Sequence, residues 1–173
     1  MIDHLFIGGN ETTTFALTSG MWLLMQQPEV EERLREDPSR IRTFVDEVLR
    51  LESPTQGMDR HTAIETEIAG VTIPKGAHIH MRYAAANRDP AQYGCPADID
   101  LDRPNGYRHL AFSIGESHCP GAALSRLEQN ISWHLLLDRI ENIRLAESGN
   151  ELTHFTNLTL RSFQELRITF DKR

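Results

Sequence analysis

The chain has 173 residues, of which 39% are hydrophobic and 25% are charged, as expected for one soluble globular domain with its own core. Its net charge of -7 gives no case for a nucleic acid or an anionic membrane as partner, and no apolar run reaches the roughly 18–20 residues that span a bilayer. Two cysteines are too few for a disulfide scaffold, and the start lacks the basic segment of a signal peptide, so we expect a cytoplasmic protein in a reducing compartment.

The first predicted element is a long helix over residues 2 to about 27. Its apolar residues fall on most sides of the helical wheel, which predicts a central, buried helix. Met1 enters it without a capping residue, as though the helix were cut in its middle.

This helix contains the motif Gly8-Gly9-Asn10-Glu11-Thr12-Thr13. Two glycines in a helix cost about 1 kcal/mol each relative to alanine, and they let a flat ligand approach the backbone closely. Thr12 and Thr13 can donate to carbonyls one turn earlier, and Glu11 beside Thr12 is a minimal proton relay. Taken alone, the motif equally describes a packing notch with a solvent-facing glutamate.

A charged helix is predicted over residues 29–36, and another helix from Pro38 to Leu51. Within the second, Glu47 and Arg50 are three residues apart and share a face, so they can pair; taken alone, this is a surface ion pair of little worth. The predicted apolar face of that helix consists of Ile41, Phe44, Val45, Val48 and Leu49.

Short strands are predicted over residues 65–68, 71–73 and 77–81, separated by turns. His78 and His80 share a strand face and His61 is near in sequence, which leaves a metal site as an alternative use of this region. Residues 87–109 carry repeated turn signals and predict a long irregular meander packed around something. Its Cys95-Pro96 dipeptide leaves regulatory haem binding open as a further alternative.

The segment from Phe112 to Gly121 leads into a helix that is predicted to extend from Pro120 to about Ile140. Pro120 is favoured at the first helical position, which places Cys119 at the N-cap, where free amides and the helix dipole favour a thiolate. A lone thiolate held by amides is a good axial ligand for haem iron. The predicted apolar stripe of the helix is Leu124, Leu127, Ile131, Leu135 and Leu136. A terminal β-hairpin is predicted from the alternation in 158–160 and 166–170.

Together, and in this order, these three motifs resemble the C-terminal half of a cytochrome P450 of the soluble bacterial type, from residue 2 to the C-terminus. The resemblance implies a mainly α fold with small β-sheets (α+β), a single partial domain over residues 1–173, and haem b (iron protoporphyrin IX) as cofactor. It also implies roles for individual residues. Thr12 and Glu11 are the implied catalytic residues for oxygen activation and proton delivery, and Cys119 is the implied iron ligand.

The remaining implied roles fall into three groups. Arg60 is expected to pair with a haem propionate, and the other expected haem contacts are Gly9, Phe112, Gly115, His118 and Gly121. Glu47 and Arg50 are expected to form a buried structural pair with Arg103 as a third partner. The expected substrate-pocket residues are Leu5, Gly8, Thr55, Gln56, Gly57 and Leu158.

The cysteine loop departs from the family pattern Phe-Gly-x-Gly-x-His-x-Cys-x-Gly. Ser113 stands at the first glycine, and Ser117 stands where a histidine or arginine usually contacts a propionate. His118 and His109 do not occupy the matching position.

The implied function is that of a haem-thiolate monooxygenase, which hydroxylates a small organic substrate with O2 and electrons from a ferredoxin or flavodoxin-type partner. Arg108 and Arg126 flank the cysteine and could receive such an acidic partner. Complete family members are more than twice this long, so the chain is expected to be a fragment, to have its other half in a separate chain, or to fold alone and do something else. A haem slot with one wall missing would expose apolar surface and favour association with itself or a partner. The alternative is a non-catalytic interaction protein of this family, or a fragment that does not bind haem.

Overall fold

A computed structural model of the chain describes residues 2–149 and 152–173, with side chains from residue 6 onward. The helices in chain order are α1 (Ile2–Gln26), α2 (Pro28–Glu36), α3 (Ile41–Leu51), α4 (Tyr83–Ala86) and α5 (Ala122–Arg139). The strands are β1 (Met58–His61), β2 (Thr66–Ile68), β3 (Val71–Ile73), β4 (His78–Met81), β5 (Ile140–Leu145) and β6 (Ile168–Lys172). The predicted mixture of helices with small sheets is confirmed.

The core lies between α1, α2, α3 and α5, with α3 at its centre. The predicted apolar face of α3 is confirmed as buried. Trp133 of α5 meets Phe44 of α3 edge-on, with ring centroids 5.2 Å apart. Gly20 of α1 makes this contact possible, because a side chain there would lie 2.5 Å from the Trp133 ring. These contacts pack α1, α3 and α5 against one another.

The length of α1 was predicted correctly, but its burial was predicted wrongly at one end. Ala16 and Leu24 are fully buried in the core, whereas Phe6 is 74% exposed and residues 6–11 are all exposed. The mean apolarity of a helix does not tell which of its turns meets a neighbour, and among the described side chains of α1 the buried ones begin at Thr13.

Three two-stranded antiparallel sheets are present among the described residues: β1 with β4, β2 with β3, and β5 with β6. The strands at β2, β3 and β4 were predicted, and β1 was not. The predicted terminal hairpin is wrong, because β6 pairs with β5 immediately after α5. Leu160 instead forms an isolated bridge with Thr55.

The predicted start of α5 is also wrong. The helix begins at Ala122 with Gly121 at the N-cap, so Cys119 and Pro120 precede it. The residues of its buried face are Ala122, Gln129, Trp133 and Leu137. Most of the predicted apolar stripe lies on another side: Leu124, Leu127, Ile131 and Leu135 are between 45% and 56% exposed, whereas Leu136 packs against the core.

The predicted meander is confirmed as irregular, with a short 3-10 turn at Gly106–Arg108. In the part of the chain that the structure describes, no helix is long and apolar enough to cross a bilayer.

Candidate functional site

The cysteine loop runs from Phe112 to the start of α5 and closes on itself through backbone hydrogen bonds. The Cys119 N–H donates to the Phe112 carbonyl oxygen at 2.8 Å, and the Cys119 carbonyl accepts from the Ala122 N–H at 3.2 Å. The Cys119 thiol is free and partly exposed. A Cβ built on Gly121 would lie 3.7 Å from the sulfur, so the Gly121 backbone adjoins the thiol. The loop therefore presents one sulfur at the entrance of a helix.

The loop needs a left-handed backbone at two places. Gly115 has a φ of 64°, which glycine adopts without steric cost. Ser113 has a φ of 59°, a conformation that an L side chain disfavours. Its hydroxyl lies 3.1 Å from the Tyr83 hydroxyl, which offsets part of that cost. The departure at Ser113 therefore leaves the path of the loop intact.

Glu47, Arg50 and Arg103 come together in a fully enclosed ionic cluster. Arg50 donates to both Glu47 carboxylate oxygens, at 2.7 and 2.9 Å, and both side chains are 0% exposed. Arg103 adds bonds of 3.0 and 3.1 Å to the same carboxylate. Such bidentate, charge-assisted bonds are the strong ones, and their burial distinguishes this pair from a surface ion pair.

The remaining donors of the two arginines bind backbone carbonyls of the meander. Arg50 donates to Pro96 at 2.7 Å and to Asp98 at 2.9 Å. Arg103 donates to the Gly94 carbonyl at 2.7 Å. The cluster thus supplies hydrogen-bond partners to a segment that has almost no secondary structure of its own. Cys95, the alternative haem contact, lies exposed in that segment.

A second polar cluster, which the sequence did not predict, lies under the cysteine loop. Asp46 of α3 accepts from Arg126 of α5 at 2.8 Å and contacts His109 Nε2 at 3.3 Å. The Arg126 guanidinium lies 4.7 Å from the centre of the Phe112 ring, and the centres of the His109 and Phe112 rings are 5.6 Å apart. No local signal could have found it, because its members are 17 to 80 residues apart.

Burial and pairing act in opposite directions on the ionisable groups of this second cluster. Burial lowers the pKa of His109, and the neighbouring Asp46 restores it only in part. Burial alone would raise the pKa of Asp46, but hydrogen bonds from His109 and Arg126 outweigh it and hold that pKa below its ordinary value. The cluster therefore favours a neutral histidine beside a charged aspartate.

On α1, the Gly8–Thr13 motif splits between an open face and a packed face. The Thr12 hydroxyl donates to the Gly8 carbonyl at 2.6 Å, as predicted, whereas the Thr13 hydroxyl lies 3.2 Å from Ser125 of α5. Glu11 is exposed, and a Cβ on Gly8 or Gly9 would meet no atom within 4 Å. This end of α1 therefore diverges from α5 and leaves its glycines open to a flat group.

Arg60 of β1 lines a cavity of about 300 Å³ beside the cysteine loop. Other polar residues at its wall are Arg82, Tyr83, Ser113 and Ser117.

The other predicted site residues occupy separate positions. His118 is exposed, and its backbone N–H donates to the Gly115 carbonyl. Gln56 is tied to Ser53 and Thr159, Leu158 is 80% exposed, and Gly57 is buried where a Cβ would lie 2.3 Å from the Met81 carbonyl oxygen. A side chain at position 57 would therefore clash with β4, which explains the glycine. The Leu5 side chain lies outside the described residues.

The histidine-rich strands do not form the alternative metal site. Asp59 accepts from His80 at 2.6 Å and contacts His78 at 3.1 Å. Among the described side chains, no set of three histidines, cysteines and carboxylates is placed to hold a metal ion.

The residues present fit the haem that the family resemblance implies. The cysteine loop carries a free, partly exposed thiol, the glycines of α1 have open space beside them, and Arg60 lines the cavity beside the cysteine loop. A soft sulfur donor, room for a flat group and a cation for a carboxylate are the chemistry that haem requires.

Comparisons with known proteins agree with this chemistry. The family model "Cytochrome P450" matches residues 1–160. Cytochrome P450 144 of Mycobacterium tuberculosis is 40% identical over 152 residues, which are 88% of this chain and 35% of that protein. The biotin biosynthesis cytochrome P450 of Bacillus subtilis is 39% identical over 168 residues, which are 96% of this chain and 42% of that protein.

Solved structures give the same result. A Mycobacterium marinum cytochrome P450 in its substrate-free form superposes with a TM-score of 0.92 at 37% identity, over 97% of this chain and 43% of that one. P450BioI, in complex with an acyl carrier protein ligated to hexadec-9Z-enoic acid, gives 0.91 at 38% identity, over 96% and 43%. The chain thus spans well under half the length of the relatives it matches.

Proposed function

The chain belongs to the cytochrome P450 family, and on that premise we propose that it is the thiolate-bearing part of a haem monooxygenase that hydroxylates a small organic substrate. The single observation that carries the proposal is the partly exposed Cys119 thiol at the closed end of the Phe112–Gly121 loop. Haem, when bound, supplies oxygen activation at its iron. We take the cofactor to be haem b and the setting to be the cytoplasm.

On the cysteine side, Cys119 would hold the iron as a thiolate. The Gly121 backbone and the start of α5 lie next to the sulfur, where the dipoles of peptide groups at a helix start favour an anion. Phe112 fixes the loop by accepting the Cys119 N–H, and Gly115 provides the left-handed turn before it. His118, exposed beside the cysteine, contributes through its backbone.

On the opposite side, Gly8 and Gly9 leave space for the flat group against α1. Thr12 is partly buried one turn further along, and its hydroxyl is oriented by the Gly8 carbonyl. We propose that this hydroxyl passes a proton towards the reaction and that the exposed Glu11 draws protons from solvent. Substrate would bind at this end, near the segment that the Thr55–Leu160 bridge holds in place.

The Glu47, Arg50 and Arg103 cluster has a positioning role in this proposal. It touches neither the sulfur nor the open face of α1, but it ties the meander to α3, and the meander leads directly into the cysteine loop. Because the core cluster draws on α1, α2, α3, α5 and β5, we treat residues 1–173 as one partial domain.

Two surfaces support proposals about partners. Arg126 is partly exposed beside Phe112 and Arg108 is exposed nearby in sequence, which favours an acidic ferredoxin or flavodoxin on the cysteine side. The exposed stripe Leu124, Leu127, Ile131 and Leu135 favours burial against a further half of the protein.

The experiment that tests the proposed function is haem uptake followed by spectroscopy. Purified protein is reconstituted with haem, reduced and exposed to carbon monoxide. We expect the red-shifted Soret band of thiolate ligation. If the protein does not take up a stoichiometric amount of haem, the proposed monooxygenase function is contradicted and the non-catalytic alternative is favoured.

A further inference from the structure

The cavity beside the cysteine loop has an unusual charge balance. Arg60 and Arg82 both line it, together with the hydroxyl-bearing side chains of Tyr83, Ser113 and Ser117, and no aspartate or glutamate is at its wall. Two guanidinium groups at one cavity repel each other unless an anion lies between them. The wall itself therefore favours a negatively charged ligand.

Neither arginine has its charge neutralised within the part of the chain that the structure describes. Arg60 Nη1 donates to the Asp59 backbone carbonyl at 2.8 Å, and Arg82, exposed just after β4, takes part in no described ion pair. Buried Arg50 and Arg103, by contrast, share the Glu47 carboxylate. Apart from the Arg60 Nη1 bond to the Asp59 carbonyl, the guanidinium donors of these two arginines remain available to a carboxylate.

The same cavity has an apolar side, formed in part by Met81, Leu110 and Ile114. Ile114 is 66% exposed, which is costly for a side chain of that size without a covering group. Ser117 precedes Cys119 by two residues, a backbone span of at most about 7 Å. A group bound at the sulfur is therefore within reach of this cavity, and an apolar body with a carboxylate at its edge matches both sides of the wall.

We propose that Arg82 binds a haem propionate together with Arg60, and so supplies the second positive charge that the uncharged Ser117 does not. The inference rests on the proposed function, because the carboxylate is carried by the haem. It assigns a binding role to a residue outside the cysteine loop.

The test compares binding of haem with binding of haem dimethyl ester, in which both carboxylates are esterified, by absorbance titration. Arg82→Gln removes the charge at nearly constant size, and Arg82→Lys keeps the charge without the planar donor set. Arg42→Gln, at an exposed arginine of α3 outside the cavity, is the matched control. Circular dichroism verifies that each variant is folded.

We expect Arg82→Gln to weaken haem binding by about 10- to 100-fold, the loss of one charge-assisted pair, and to leave ester binding unchanged within about threefold. Arg82→Lys should recover part of the affinity, and Arg42→Gln should bind both ligands like the parent. If Arg82→Gln does not fold, the parent and Arg82→Lys are compared instead. The inference is overturned if the parent binds the ester more tightly than haem and Arg82→Lys shows the same preference.

Equal haem affinity of parent and Arg82→Gln, or an equal loss for haem and ester, also overturns it while leaving the proposed function standing. Failure of the unaltered protein to bind haem is a separate outcome, which contradicts the proposed function and the inference together.

Discussion

The Ala111 backbone N–H donates to Nδ1 of His109 at 3.2 Å, so that ring nitrogen must carry a lone pair. The proton of the neutral ring then lies on Nε2, which faces Asp46 Oδ1 at 3.3 Å. Protonation of His109 would place a second N–H against the Ala111 amide, one residue before Phe112. The histidine tautomer and the start of the cysteine loop are therefore coupled.

This coupling predicts a pH dependence of stability. Burial lowers the pKa of His109 in the folded chain, so the unfolded chain binds a proton first as the pH falls below about 6.5. The free energy of unfolding should therefore fall with decreasing pH in that window, by at most about 1.4 kcal/mol per pH unit from this group. His109→Gln should flatten the slope in urea titrations at several pH values. The exposed His134→Gln is the control, and equal slopes for all three proteins would sink the prediction.

The ionic cluster at Glu47 predicts a large stability loss from a small change. Glu47→Gln keeps the size of the side chain but leaves the buried Arg50 and Arg103 without their shared counter-charge. We expect a loss of about 3–5 kcal/mol in the free energy of unfolding, measured by denaturant titration. Asp102→Asn, which removes an exposed partner of Arg33 and Arg40, should leave the midpoint close to that of the parent. A Glu47→Gln loss no larger than that of Asp102→Asn would show that the cluster is not structural.

The left-handed backbone of Ser113 predicts that glycine stabilises the protein more than alanine does at this position, the reverse of their order within a helix. Ser113→Gly relieves the disfavoured conformation, whereas Ser113→Ala retains it and also loses the Tyr83 contact. We expect the glycine variant to be more stable by about 1 kcal/mol. At Ser132, in the middle of α5, alanine should be the more stable by about the same amount. Thermal unfolding of all four variants measures both differences, and the same order at both sites would refute the strain at Ser113.

The proposed proton path predicts different effects at two similar threonines. Thr12 and Thr14 each donate to the carbonyl four residues earlier, at 2.6 and 2.9 Å. If Thr12 delivers protons, Thr12→Ala should lower the product formed per O2 consumed by about tenfold or more, and Thr12→Ser should restore it. Thr14→Ala, which removes the same type of helix contact, should leave coupling unchanged. Parental coupling in Thr12→Ala would remove this residue from the mechanism.

The sequence predicted those parts of the fold that depend on local pattern. The amphipathic face of α3, the strands β2, β3 and β4 and the irregular meander follow from spacing and turn residues, and they were predicted correctly. The stripe at Leu124 and Leu127 was predicted as apolar, but its exposure was not predicted, because apolar spacing does not show which neighbour covers a face. The pairing of β6 with β5 was missed because strand partners are chosen by tertiary contacts.

The candidate site divides in the same way. Glu47 and Arg50 are three residues apart, so their pairing could be predicted, but their burial depends on Arg103 and on distant carbonyls. Neither Arg82 nor Asp46 belongs to a motif that the sequence analysis identified. Only the structure shows that Arg82 lines the cavity with Arg60, and that Asp46 lies beneath Phe112.

The most direct test of the account is the identity of the sulfur that binds the haem iron. Cys119→Ser and Cys95→Ser are prepared in parallel, reconstituted with haem, reduced and exposed to carbon monoxide. We predict that Cys119→Ser loses the red-shifted Soret band of thiolate ligation and that Cys95→Ser retains it. A retained band in Cys119→Ser, or its loss only in Cys95→Ser, would contradict the assignment of Cys119 as the ligand.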